Sequence, residues 1–171
     1  DHVEVGAVPI KTNNGWLFIY SHIQNYFESS HSDPRVFGIE ALLLDIKNPQ
    51  KIVARTRGPI LVPEESYELS GFASNIVFPS GALIEKPTRL GGGDRLHIYY
   101  GAADTTSCRA SVVLSDLLKT ILPSESDLDV FTRFKGNPII SPIKDNSWEA
   151  TATFNPACIM INNTIHILYR T

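Results

Sequence analysis

Residues 8–20 decide the fold of this chain, and they read Val8-Pro9-Ile10-Lys11-Thr12-Asn13-Asn14-Gly15-Trp16-Leu17-Phe18-Ile19-Tyr20. Asn13-Asn14-Gly15 is a strong hairpin signal, because Asn and Gly adopt the positive φ angles that a tight turn between antiparallel strands requires. Residues 16–20 form an aromatic and apolar run that is typical of a strand. The stretch therefore predicts an inner strand that carries a proline, a tight turn, and an apolar strand that ends in tyrosine.

Two further runs extend this hairpin into a meander. Residues 36–45 are an apolar strand that ends at the turn Lys47-Asn48-Pro49, and residues 51–56 alternate polar and apolar side chains as an edge strand should. The first third of the chain is therefore predicted to form four consecutive antiparallel strands.

The same unit recurs twice, as Phe78-Pro79 to Tyr100 and as Asn155-Pro156 to Tyr169. Repeated four-stranded meanders are the signature of an all-β fold, the β-propeller, in which each meander is one blade. The chain is predicted to hold one full blade, one near-full blade and the first half of a third. A β-sandwich would fit the strands but would explain the repeat less well.

Two segments between these units have a different character. Residues 115–122 predict either a short helix or an extended edge strand, and the polar, acidic residues 124–129 predict a linker. We therefore divide the chain into residues 1–123, which hold the first two blades, and residues 124–171, which hold the linker and the opening motif of another blade.

Composition excludes several classes of protein. The chain has 171 residues, a net charge of -3 and no basic field of the kind that nucleic-acid binding requires. No apolar run approaches the roughly 18 residues of a membrane span, and the absence of a signal-peptide pattern at Asp1 favours the cytoplasm. No cluster of His, Asp or Glu has metal-ligand spacing. Cys108 and Cys158 are predicted to be two buried thiols, with a disulfide between them as the alternative.

Four segments of the chain resemble glycoside hydrolase family 130, the mannoside phosphorylases and related β-mannosidases. They are Pro9-Ile10-Lys11-Thr12 with residues 15–20, Ala41-Leu42-Leu43-Leu44-Asp45 with residues 52–61, Asn75-Ile76-Val77-Phe78-Pro79-Ser80-Gly81 with residues 99–104, and Gly136-Asn137-Pro138-Ile139 with residues 154–170. The resemblance implies a five-bladed propeller, of which this chain holds about two and a half blades. It also implies cleavage of β-mannosides or manno-oligosaccharides at a pocket on the propeller axis. The reaction is phosphorolysis, with inorganic phosphate as co-substrate, or hydrolysis; no cofactor is expected.

The resemblance also implies which residues hold the sugar. They are Asp104, Asn155 and Arg170; Tyr100, whose default interpretation is a core aromatic, is added as a fourth candidate. The alternatives are a turn aspartate, a turn asparagine, a solvated arginine and a core tyrosine, respectively. Trp148 is predicted to be a packing residue, with sugar stacking as the alternative.

Two departures from the family concern phosphate. The family has a histidine directly after the tyrosine of this strand, whereas here Ser21 follows Tyr20 and the histidine is His22. A shift of one residue in a strand turns the side chain to the opposite face. A lysine of the family also falls near His2, where no lysine stands. His22 is thus a doubtful phosphate ligand, and both changes favour water over phosphate as the acceptor.

The order of the motifs is unusual, because the motif that opens the family's propeller comes last here. A junction between tandem copies, a circular permutation and the loss of middle blades all explain this order. The family's catalytic acid follows that opening motif, so we expect it to lie outside this chain, in a missing segment or in another copy that completes the propeller. The alternative is a non-catalytic fragment that binds sugar or only assembles.

Overall fold

The computed structural model describes residues 2–25, 35–87, 93–122 and 132–171. The strands and helices of these residues are, in chain order, β1 (His2–Val5), β2 (Ile10–Thr12), β3 (Gly15–Gln24), β4 (Val36–Leu44), β5 (Ile52–Arg55), α1 (Ser66–Leu69), β6 (Val77–Glu85), β7 (Arg95–Ala102), β8 (Thr106–Val113), α2 (Leu114–Ile121), β9 (Thr132–Arg133), β10 (Phe154–Ile161) and β11 (Thr164–Arg170).

The first sheet is the predicted meander with one addition. Strands β1 and β2 both pair antiparallel with β3, so together they form one innermost strand that is interrupted around Pro9. Strand β3 then pairs with β4, and β4 with β5. The tight turn lies where predicted, with Thr12 opposite Gly15 and a φ of 140° at Gly15. Strand β1 is the part that the sequence pattern did not reveal.

The second sheet has the strand order β6-β7-β8-β9. Its inner strand carries Pro79 at an irregularity between Pro79 and Gly81, which repeats the interruption seen in the first sheet. Helix α2 follows β8, so the helical alternative for this segment is confirmed. The predicted linker and the predicted division at residue 123 lie outside the described residues. Strand β9, beyond them, pairs with β8 and completes the second sheet.

Strands β10 and β11 form a separate two-stranded hairpin. Its loop is Asn162-Asn163, and both residues have positive φ angles, of 50° and 62°. Such angles belong to the type I′ turn that suits the right-handed twist of a hairpin. The register slips between Phe154 and Ala157, around the third proline, Pro156. The described residues thus form a five-stranded sheet, in which β1 and β2 share one side of β3, a four-stranded sheet and a two-stranded hairpin.

The second sheet lies between the other two. Strand β6 contacts β3 and β4 of the first sheet and β10 of the third. The approach is close at two glycines: an added Cβ on Gly6 would lie 2.8 Å from Pro79 Cγ, and one on Gly81 would lie 2.9 Å from Cys158 N. Buried side chains of the first two sheets form one core, which includes the large side chains of Leu17, Ile19, Ile39, Leu43, Leu96, Ile98 and Tyr100.

Both cysteines are free thiols rather than a disulfide. Cys108 is buried, as predicted, and burial raises the pKa of its thiol to about 12. Cys158 is half-buried against Gly81, and burial raises its pKa to about 11. Neither thiol is therefore ionised at neutral pH, and both act as packing groups.

A buried carboxylate fixes the segment between the first two sheets. Glu68 of α1 is fully buried, and its side chain accepts hydrogen bonds from the backbone amides of Glu64 and Glu65. The Arg133 guanidinium donates to both carboxylate oxygens, at 2.9 and 3.0 Å, and the Tyr100 hydroxyl donates at 2.8 Å. Burial opposes ionisation of Glu68, but these donors outweigh it and hold the pKa of the carboxyl below its usual value.

None of the helices in the described ranges has the length and apolar character needed to cross a membrane.

Candidate functional site

Asp104 lies in the tight turn between β7 and β8. The backbone N–H of Thr105 donates to the carbonyl of Ala102 at 3.0 Å, and the two central residues, Ala103 and Asp104, have positive φ angles of 47° and 50°. Such angles are uncommon for residues other than glycine and concentrate at ligand sites. Burial raises the pKa of the Asp104 carboxyl, and the nearby Arg170 guanidinium lowers it in part.

Asn155 reaches the same end of the second sheet from the third. Its φ is 51°, and it lies in the irregular part of β10. Its backbone N and its Oδ1 would be 3.4 and 3.5 Å from a Cβ built on Gly101. The Asn155 amide therefore lies against the strand that leads into the Asp104 turn, at ordinary van der Waals distance from that position of β7.

Arg170 completes the group from the end of β11. It pairs in register with Phe154, and its guanidinium lies 5.0 Å from the centre of the Phe154 ring. The Thr153 N–H donates to the Thr105 carbonyl at 3.1 Å, so the start of β10, which pairs with the Arg170 end of β11, lies against the Asp104 turn. Three of the predicted sugar-binding residues, Asp104, Asn155 and Arg170, are therefore brought to one end of the second and third sheets. An acceptor, an amide and a guanidinium in one place can bind neighbouring hydroxyls of a sugar.

Tyr100, the fourth predicted residue, has a different environment. Its side chain is fully buried in the core, and its hydroxyl donates to Glu68. This placement matches the core alternative that the sequence left open. Tyr100 therefore lies in the core and not among the residues of the candidate site.

The loop before β10 holds a second group at this end. The Tyr169 hydroxyl donates to Glu149 Oε2 at 2.7 Å, and the Asn146 amide donates to Glu149 Oε1 at 2.9 Å. Glu149 is buried, whereas Trp148, beside it in the chain, is 59% exposed. The Trp148 and Tyr169 rings lie 6.3 Å apart. The sequence showed that Trp148 and Glu149 are adjacent, but not that Tyr169 meets them.

His22, the doubtful phosphate ligand, lies in the first sheet. Its Nδ1 is 2.7 Å from Glu40 Oε1, and the Tyr20 hydroxyl donates to the other oxygen of Glu40. Ser21 is fully buried on the opposite face of β3, so the one-residue shift does turn the two side chains apart. Glu40 is the residue that the sequence interpretation missed, because only the pairing of Tyr20 with Glu40 across β3 and β4 brings them together.

The described residues contain no group of three or more His, Cys, Asp or Glu side chains that could hold a metal ion.

Comparison with known proteins gives a consistent result. Residues 1–122 match the profile of glycoside hydrolase family 130, described as beta-1,4-mannooligosaccharide phosphorylase. A beta-1,2-mannobiose phosphorylase of Listeria innocua is 39% identical over 113 residues, 66% of this chain and 28% of the relative. A beta-1,4-mannooligosaccharide phosphorylase of Ruminococcus albus is 32% identical over 116 residues, 68% of this chain and 32% of the relative. The chain therefore spans about a third of these curated relatives.

Solved structures agree. The beta-1,2-mannobiose phosphorylase from Listeria innocua, in complex with beta-1,2-mannobiose, superposes with a TM-score of 0.55 and 37% identity over 70% of this chain and 30% of that one. A putative glycoside hydrolase from Bacteroides ovatus gives a TM-score of 0.53 at 28% identity, over 69% of this chain and 33% of that one. These matches confirm the β-propeller fold, of which the described residues form two blades and half of a third. The family profile ends at residue 122, so Asn155 and Arg170 lie beyond it.

Proposed function

Since this chain belongs to glycoside hydrolase family 130, we propose that it is part of an enzyme that cleaves β-mannosides and that it supplies the residues that hold the terminal mannosyl unit. One observation supports the proposal: Asp104, Asn155 and Arg170 lie at one end of the second and third sheets, where the start of β10 packs against β7 and the Asp104 turn, although they lie on three different segments of the chain.

Each of the three residues has a chemical role that suits its position. The Asp104 carboxylate accepts hydrogen bonds from sugar hydroxyls, and Arg170 donates to hydroxyl or ring oxygens. The Asn155 amide can do both. Because burial makes ionisation of Asp104 costly, hydroxyl donors from a bound sugar would stabilise its charged form.

We propose phosphorolysis as the reaction. All four relatives matched among curated proteins have names that end in phosphorylase, including the beta-1,2-mannobiose phosphorylase of Listeria innocua. In such a reaction inorganic phosphate attacks the anomeric carbon while an acid protonates the leaving oxygen. We further propose that this acid is a residue outside this chain. Residues outside this chain would also complete the pocket on the propeller axis. Neither carboxylate at this end of the sheets is proposed as the acid: Asp104 is assigned to binding sugar hydroxyls, and both oxygens of Glu149 accept hydrogen bonds within the protein.

Hydrolysis is the second candidate, and one observation favours it. The Glu40 carboxylate lies 2.7 Å from His22 Nδ1, so a protonated His22 would be neutralised by its neighbour and would attract a phosphate dianion weakly. Water as the acceptor needs no cationic site.

The test measures the products from β-1,2-mannobiose and β-1,4-mannobiose with and without phosphate, using this chain and the Asp104→Asn variant. Binding of either disaccharide without turnover supports the proposal, and mannose 1-phosphate formed by a longer chain that contains these residues supports phosphorolysis. Free mannose formed at the same rate without phosphate would favour hydrolysis. Turnover by this chain alone would contradict the assignment of the acid to other residues, and no binding by this chain would contradict the sugar site.

A further inference from the structure

The Asp104 turn is tied to the segment that precedes β6. The Ala103 N–H donates to the Ile76 carbonyl at 3.0 Å, and the Ala103 carbonyl accepts the Ala73 N–H at 3.1 Å. Both backbone groups of Ala103 are therefore fixed by residues 73–76, which lie between α1 and β6. Because the Ala103 carbonyl belongs to the peptide that leads into Asp104, these bonds fix the direction in which the Asp104 side chain leaves the turn.

Thr105 connects this segment to the turn and to the third sheet. Its hydroxyl donates to the Ala103 carbonyl at 2.9 Å and accepts the Phe72 N–H at 2.9 Å. Its carbonyl accepts the N–H of Thr153, two residues before Asn155, at 3.1 Å. One residue thus bridges the segment before β6, the turn between β7 and β8, and the start of β10.

Gly71 lets the segment come this close to the turn. A Cβ at this position would lie 2.5 Å from the Ala103 carbonyl oxygen and 2.5 Å from Thr105 Oγ1, distances that real Cβ atoms essentially never have. The three atoms nearest to that Cβ all belong to Ala103 and Thr105. A larger residue at position 71 would therefore displace the turn or the segment that holds it.

The turn needs this support because its backbone conformation is unfavourable. Among the residues that the structure describes, Ala103 is the one with a positive φ that is neither Asn, Asp nor Gly. Asparagine and aspartate can stabilise such an angle through local hydrogen bonds of their side chains, but alanine cannot. A conformation of this kind persists only where the surrounding structure determines it. The hydrogen bonds to the backbone of Ala103 supply what its side chain lacks.

We propose that Thr105, together with Gly71, is a positioning residue of the sugar site. It holds the turn so that the Asp104 carboxylate and the Asn155 amide reach hydroxyls of the same mannosyl unit. The inference rests on the proposed function. Thr105 itself does not bind the sugar, because its hydroxyl both donates and accepts within the protein and its carbonyl accepts from the start of β10. Its effect on affinity therefore passes through Asp104.

Two substitutions of Thr105 test the role of its hydroxyl. Valine keeps the shape of threonine without the hydroxyl, and serine keeps the hydroxyl. In calorimetry we expect Thr105→Val to weaken β-1,2-mannobiose binding about 3- to 10-fold, the effect of one hydrogen bond, and Thr105→Ser to restore most of the loss. In an Asp104→Asn background, Thr105→Val should reduce the affinity much less, because the carboxylate that it positions is already absent.

Gly71→Ala tests the same contact without touching the hydroxyl. It should weaken β-1,2-mannobiose binding at least about threefold, because the added methyl group displaces the turn. Gly58→Ala is the matched control, since a Cβ built on Gly58 has no atom within 4 Å. It should leave the affinity unchanged.

An NMR titration of the Asp104 carboxyl needs no sugar and separates this inference from the proposed function. Burial raises the pKa of this carboxyl. A loosened turn should therefore move the pKa toward its ordinary value in Thr105→Val and Gly71→Ala, but not in Thr105→Ser or Gly58→Ala. The same pKa in all four variants, or equal affinity of Thr105→Val and the unmodified chain for mannobiose, would overturn the positioning role. If none of the proteins binds mannobiose while the pKa moves as expected, the proposed function fails and Thr105 still positions Asp104.

Discussion

Two carboxylates in this protein, Glu68 in its ion pair with Arg133 and Asp104 in its turn, have opposite properties. Glu68 is fully buried and accepts hydrogen bonds from Arg133, from Tyr100 and from two backbone amides, and the pKa of its carboxyl is lowered. Asp104 is partly buried, and burial raises the pKa of its carboxyl, although the Arg170 charge lowers that pKa in part. A carboxylate whose donors all come from the protein stabilises the fold. One that is desolvated without equivalent donors gains them when a polar ligand binds.

The largest effect is expected from the change that breaks the Glu68–Arg133 ion pair. Glu68→Ala leaves the Arg133 guanidinium without its main partner and removes the acceptor of two amides. We expect a loss of about 3–5 kcal/mol in the free energy of unfolding, measured by urea denaturation. Glu64→Ala is the matched control, because the Glu64 side chain is 66% exposed and also touches Arg133. It should cost less than about 1 kcal/mol. Equal losses in the two variants would show that Glu68 is not the stabilising centre.

A second change tests how the third sheet is held. A Cβ at Gly81 would lie 2.9 Å from Cys158 N and 3.1 Å from the Pro156 carbonyl oxygen, so Gly81→Ala must displace β10. We expect a destabilisation of about 1–3 kcal/mol. Gly101→Ala is the control on the neighbouring strand, because its nearest atom would be Asn155 N at 3.4 Å, an ordinary contact. That variant should change stability by less than about 1 kcal/mol. A larger loss of stability in Gly101→Ala than in Gly81→Ala would mean that β10 packs on β6 differently.

Asp104→Asn should separate binding from stability. Asparagine accepts the positive φ of this turn, so we expect a change within about 0.5 kcal/mol in unfolding free energy. The loss of a charged acceptor should weaken β-mannobiose binding about 10- to 100-fold. Calorimetry and urea denaturation of the same preparation measure both quantities. A variant that binds normally but unfolds readily would make Asp104 a structural turn residue.

The smallest expected effect is a difference in pH dependence. The folded-state pKa of Glu68 is lowered, so its contribution to stability is present above the usual carboxyl pKa of 4.5 and is lost as the pH falls through the folded value. The folded-state pKa of Asp104 is raised, so its contribution is present at low pH and is lost as the pH rises through the folded value. Between pH 3 and 7, Glu68→Gln should therefore flatten the rise of stability with pH, and Asp104→Asn should steepen it slightly. If both substitutions changed the slope of stability against pH in the same direction, the contrast between the two carboxylates would be contradicted.

The sequence was sufficient to predict the features that depend on residues adjacent in the chain. Asn13-Asn14-Gly15 and Asn162-Asn163 predicted their turns because backbone conformation at a tight turn is a property of the turn residues themselves. The repeated proline in the inner strand also lies at an interruption of the strand pairing in all three sheets. These local signals were enough to predict blades of a propeller.

The side-chain networks depend on pairing that local patterns do not specify. Arg133 and Glu68 are 65 residues apart, and no pattern in either segment points to the other. Glu40 meets His22 only through the register of β3 with β4, and Tyr169 meets Glu149 only because a loop folds back on β11. The site residues Asp104, Asn155 and Arg170 were proposed from the family resemblance rather than from their spacing, and their role in sugar binding stays a prediction.

The most direct test of the sugar site is calorimetric titration of β-1,2-mannobiose into the folded chain and into three single variants: Asp104→Asn, Arg170→Met and Glu64→Ala. We expect saturable binding by the unmodified chain, a loss of at least about tenfold in affinity for the first two variants, and no change for the third. Equal affinity in all four proteins, or no binding to a chain that unfolds cooperatively in urea, would contradict the assignment of this site.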